Sequence, residues 1–81
     1  MSKPVVDFDW CACGTVGDAW IGNECFEVRL RPMSGQGRAF FAWAVAQDGH
    51  RIATGVARSH GGGLRAIQAA CRRAAKGGGR E

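Results

Sequence analysis

An Asp48-Gly49 pair stands between two runs of alternating large and small side chains, in the stretch WAVAQDGHRIATGVARS at residues 43–59. Asp-Gly tolerates the positive φ angles of a two-residue type I′ turn, whose twist matches the strands it joins. This commits the chain to an antiparallel hairpin over 39–47 and 50–58. An unbroken register from that turn sets Val45 opposite Ile52, Trp43 opposite Thr54 and Phe41 opposite Val56. On the other side it sets Ala46 opposite Arg51, Ala44 opposite Ala53, Ala42 opposite Gly55 and Phe40 opposite Ala57. One face is then bulky and the other nearly bare. A bare face lets another element approach the sheet backbone closely.

The remaining periodic segments supply the rest of a sheet and one helix. Val6, Phe8 and Trp10 alternate with Asp7, Asp9 and Cys11, which predicts a half-buried strand over about 4–12. Ala19-Trp20-Ile21 adds a short edge segment before the Gly22-Asn23 turn. Residues 25–31 alternate most cleanly, with Phe26, Val28 and Leu30 on one side and Glu27, Arg29 and Arg31 on the other. Residues 32–38, PMSGQGR, read as a turn. Leu64, Ile67, Cys71 and Ala74 recur at helical spacing and predict a helix over 63–76, with Gly77 as its C-cap and 77–81 as a frayed tail. Residues 1–81 thus form a single α+β domain. It consists of an antiparallel sheet of about four strands with one C-terminal helix packed on one face, expected to be the small-residue face.

Charge divides the chain. Residues 1–27 hold five carboxylates against Lys3, whereas residues 28–81 hold ten Lys or Arg, nine of them Arg, against Asp48 and Glu81. Arginine presents a planar fork of donors that suits phosphate and carboxylate. A basic segment of this kind points to an anionic partner, whether nucleic acid or an acidic protein. The candidate binding surface comprises Arg29, Arg31, Arg38, Arg51 and Arg58, with Arg65 and Arg72 on the helix. Trp20 and Phe40 are the aromatics that would join it if exposed, although core burial is expected of both. Acid interrupts the N-terminal apolar run before a signal segment can form, and no apolar stretch reaches membrane-spanning length, so the expected compartment is the cytoplasm. There the four cysteines are expected as free thiols.

Few residues offer other chemistry. Cys11-Ala12-Cys13, Cys25 and Cys71 lack the paired Cys-x-x-Cys knuckles of structural zinc sites. Ser59-His60-Gly61-Gly62-Gly63 leads into the helix, where backbone amides favour anions, and His60 with Arg65 is a candidate anion contact. The run lacks the Gly-Lys-Ser/Thr of a phosphate loop, and no Gly-x-Ser-x-Gly turn accompanies it. The residues predict no catalytic set, no metal site and no cofactor.

Residues 39–76 resemble the second half of a double-stranded RNA-binding domain: a strand, the Asp48-Gly49 turn, a strand ending Gly55-Val56-Ala57-Arg58-Ser59, and an Ala-rich helix. That resemblance implies nucleic-acid binding. In this chain Gly61-Gly62-Gly63-Leu64-Arg65 takes the place of the family's basic run at the start of the final helix. In size and layout the whole chain also resembles the small proteins of phages and mobile elements, anti-CRISPR inhibitors among them. This second resemblance implies a stoichiometric inhibitor whose partner is a CRISPR effector complex or another nucleic-acid-handling assembly. Exposed strand edges allow a homodimer.

Overall fold

The computed structural model describes residues 6–35 and 37–77, with the side chains of Lys76 and Gly77 left aside. The expected strand start at residues 4 and 5 and the tail at 78–81 lie outside the described residues. Five strands run in chain order: β1 (Asp7–Trp10), β2 (Val16–Ile21), β3 (Glu24–Gly35), β4 (Arg38–Gln47) and β5 (His50–Ala57). Each pairs antiparallel with the next, giving a five-stranded meander in the order β1-β2-β3-β4-β5. One helix, α1 (His60–Gly77), follows. The α+β class and the single C-terminal helix are as expected, and the sheet has five strands in place of about four. The fifth is the short segment around Trp20, which extends back to Val16 and pairs with both β1 and β3.

The hairpin turn is built as Asp-Gly chemistry requires, with φ of 53° at Asp48 and 81° at Gly49. Gln47 pairs with His50 and Ala46 with Arg51, but the register then shifts, so that Val45 faces Ala53, Trp43 faces Gly55 and Phe41 faces Ala57. Ile52 is the surplus residue of a β-bulge. A one-residue shift exchanges the two faces of a strand. The unbroken register expected from the turn is thereby corrected: bulky residues of β4 stand beside small residues of β5.

The face that the helix covers is corrected as well. Phe26, Val28 and Leu30 of β3 and Val45 of β4 are buried beneath the helix residues Ile67, Ala70 and Cys71. Phe41 and Trp43 pack against the same core. The helix therefore sits on the bulky face of β3 and β4, and the alanine face of β4 is left open. Burying each large apolar side chain contributes about 1.5–3 kcal/mol, and Ala42, Ala44 and Ala46 have no such side chains to offer.

Two glycines let the layers close. A Cβ on Gly55 would lie 2.7 Å from Trp43 Cζ2, so the indole rests directly on the β5 backbone. A Cβ on Gly63 would lie 2.5 Å from Leu30 Cδ1, where the first helical turn crosses β3. The helix begins at His60, earlier than the expected residue 63, because Ser59 caps it. The Gly62 amide donates to Ser59 Oγ at 3.0 Å and the Gly63 amide to the Ser59 carbonyl at 3.0 Å. The glycine run thus forms the first turn of α1. At the other end the helix continues through Gly77, which was expected to begin the tail.

Strand β3 runs four residues beyond the expected end at 31, and residues 32–35 pair with 38–41 in place of the expected turn. Residues 33–35 and 38–40 pair with neither β2 nor β5, so the tip of the β3–β4 hairpin projects as an arm from a molecule 41 Å long and 25 Å across.

Candidate binding face

No described element covers the face of the sheet opposite the helix. Register fixes what stands on it. One row crosses the strands as Asp9, Asp18, Glu27, Ala46 and Arg51, and the next as Val16, Arg29, Ala44 and Thr54. A third row holds Arg31, Ala42 and Val56. Glu27, Arg29 and Arg31 make a ridge along β3, with lower ground on both sides. Over β4 lies a shallow trough of about 380 Å³, lined by Glu27, Arg29, Ala44, Ala46, Gly49 and Arg51. Over β2 lies another of about 490 Å³, whose lining includes Asp9, Val16, Asp18 and Glu27. Glu27 and Arg29 edge both troughs, joined by Arg51 over β4 and by Asp9 and Asp18 over β2.

Like charges set directly opposite one another in a sheet oppose folding. The row of Asp9, Asp18 and Glu27 is therefore an electrostatic cost to the isolated chain. Its field is felt at Cys25, whose thiol is held above the ordinary value by burial first and then by Asp18 and Glu27. Among the described residues, no ion pair engages Arg29, Arg31, Arg51 or Arg58. The face is thus divided, acidic over β1 and β2 and basic over β3 to β5.

The predicted arginines do not form one patch. Arg29 and Arg31 stand side by side on β3, Arg38 opens β4 at the arm, and Arg58 directly follows β5. Arg51 lies at the other end of β5, beside the Asp48-Gly49 turn. Arg65 and Arg72 belong to the helix on the far side of the sheet, where Arg72 Nη2 donates to Gln68 Oε1 at 3.4 Å. His60 packs edge-on against Phe41, with ring centroids 5.7 Å apart.

Sequence reasoning missed two parts of the face. Trp20, expected in the core, is 46% exposed, and Met33 and Val56 are 41% and 69% exposed. The alanines of β4 were assigned to the helix contact, yet Ala44 and Ala46 line the trough over β4. The parity of β2 carried a signal: Ala19 and Ile21 are themselves buried, which turns Trp20 between them outward.

Two of the four cysteines depart from the expected free thiols. Cys11 and Cys13 are joined as a disulfide in the β1–β2 turn, while Cys25 and Cys71 are free. The Thr15 hydroxyl lies 3.2 Å from Cys13 Sγ, and the Thr15 amide donates to the same sulfur at 3.5 Å. Among the described residues, no three His, Cys, Asp or Glu side chains gather as metal ligands, and no helix is long and apolar enough to cross a membrane. The chain matches no known protein family, no curated protein and no solved structure.

Proposed function

We propose that this chain is a non-enzymatic binding protein of the anti-CRISPR type, which sets its open sheet face against a CRISPR effector complex and blocks its DNA binding or partner site. The observation that carries the reading is the set of Arg29, Arg31, Arg51 and Arg58, which no ion pair engages among the described residues, on a face that no described element covers. Exposed Met33 and Val56 stand among them. Arginine and methionine are both enriched at protein–protein interfaces relative to the rest of the surface. Acting on an effector, the protein would work in the host cytoplasm, without a cofactor.

Pull-down against purified effector complexes, with DNA binding by the effector as readout, tests the reading. Binding that blocks the effector and is lost in Arg31→Glu and Arg58→Glu supports it. Absence of association, together with unchanged interference in cells, refutes it.

A second reading, direct binding of RNA or DNA, is favoured by Phe40 standing between Met33 on β3 and the end of β5, where Arg58 follows. An aromatic among arginines can stack on bases. Gel shifts across a salt series separate the two readings, because each phosphate neutralised steepens the loss of affinity with salt. A steep salt slope on bare nucleic acid, abolished by the same Arg→Glu changes, would replace the first reading with the second.

A further inference from the structure

We infer that the open face pairs with a second copy of this chain, in a two-fold sandwich whose axis runs parallel to the strands between β3 and β4. This goes beyond the proposed function and does not rest on it. Three observations on one face point to the same occupant. The ridge of Glu27, Arg29 and Arg31 lies next to a trough whose lining includes Ala44 and Ala46, so the face carries both a shape and its complement. Acid stands over β2 and Arg51 over β5, at equal distance from the β3–β4 boundary and in one row. Exposed Met33 and the partly buried Phe40 also form a row across that boundary.

The pattern selects the axis. A two-fold axis perpendicular to the strands would set acid against acid. An axis parallel to the strands keeps each row level and exchanges the strands across it. Strand β3 then faces the partner's β4, and β2 faces the partner's β5. Each ridge enters the other copy's trough, Asp18 and Glu27 meet the partner's Arg51, and Met33 meets the partner's Phe40. The contact is isologous, so every pair forms twice. Two aligned sheets pack about 10 Å apart in this way. The carboxylate row that burdens the isolated chain gains its counter-charge from the second copy. A face occupied by its own copy is closed to any other partner, so self-pairing and partner capture exclude one another.

Sedimentation equilibrium of the full chain under reducing conditions tests the pairing. The expected result is a monomer–dimer equilibrium whose dissociation constant rises with salt. Reversing either side, as Arg51→Glu in one variant or Asp18→Arg with Glu27→Arg in another, should weaken each homodimer by at least about tenfold. Mixing the two variants should restore dimer, since every reversed charge then meets its opposite. Ala44→Phe fills the trough and should abolish the dimer while circular dichroism and melting show a folded chain. A monomer up to about 1 mM, or a dimer indifferent to Ala44→Phe and to the reversals, overturns the inference.

Discussion

The two faces of the sheet are built from the same strands and do opposite work. On the helix side, β3 and β4 contribute Phe26, Val28, Leu30 and Val45, all essentially removed from solvent. On the other side the same strands carry Glu27, Arg29, Arg31, Ala44 and Ala46, and only shallow troughs form. Stability therefore concentrates on one face and charge on the other. Substitutions should sort by face more sharply than by strand.

The largest separation is expected from the covered face. Phe26→Ala should cost about 3–5 kcal/mol, a large part of the stability of a domain this small, read from denaturant or thermal unfolding. A smaller effect is expected where the layers touch. Gly55→Ala places a Cβ 2.7 Å from Trp43 Cζ2 and should cost about 1–3 kcal/mol. The same change in a Trp43→Leu background should cost much less, and a double-mutant cycle measures the coupling. Equal costs in the two backgrounds would show that the indole is not what Gly55 makes room for.

Cys71 gives a pH test of the covered face. Burial pushes its thiol up to about 11 from an ordinary 9.0, opposed by Arg72. Above the ordinary value only the unfolded chain releases the proton. Stability from this group is thus complete below pH 9 and declines as pH rises toward about 11. The decline should amount to about 3 kcal/mol at most, and Cys71→Ala should remove it from the pH profile. The smallest effect belongs to the open face: Arg31→Ala should change stability by less than about 0.5 kcal/mol while weakening whatever the face binds. A large loss of stability at Arg31 would erase the contrast between the faces.

Much of the fold was legible because period-2 and helical patterns report burial directly. Phe26, Val28 and Leu30 declared the core face of β3, and Leu64, Ile67 and Cys71 declared the buried stripe of α1. What escaped were features with no period of their own. The bulge at Ile52 breaks no alternation that the residues display, so the unbroken register looked equally good and put the helix on the wrong face of β4. The helix start was another such feature: the hydrogen bonds of Ser59 to Gly62 and Gly63, which no periodicity announces, decide it at His60. The candidate site was legible as a set of arginines but not as a place. Their grouping depends on which strands are neighbours, and Arg65 and Arg72 fall on the far side of the sheet.

The surplus residue at Ile52 sets the phase of everything after it in β5. Drawing Ile52 into the ladder opposite Val45 would turn the strand over, sending Thr54 and Val56 inward and Ala53, Gly55 and Ala57 outward, without altering a single amino acid. Trp43 would then lie against Thr54, where the indole has no room. Variation in this strand should be tolerant of exchange at its outward positions, and loss of Ile52 alone should leave the partners of residues 53–57 unchanged.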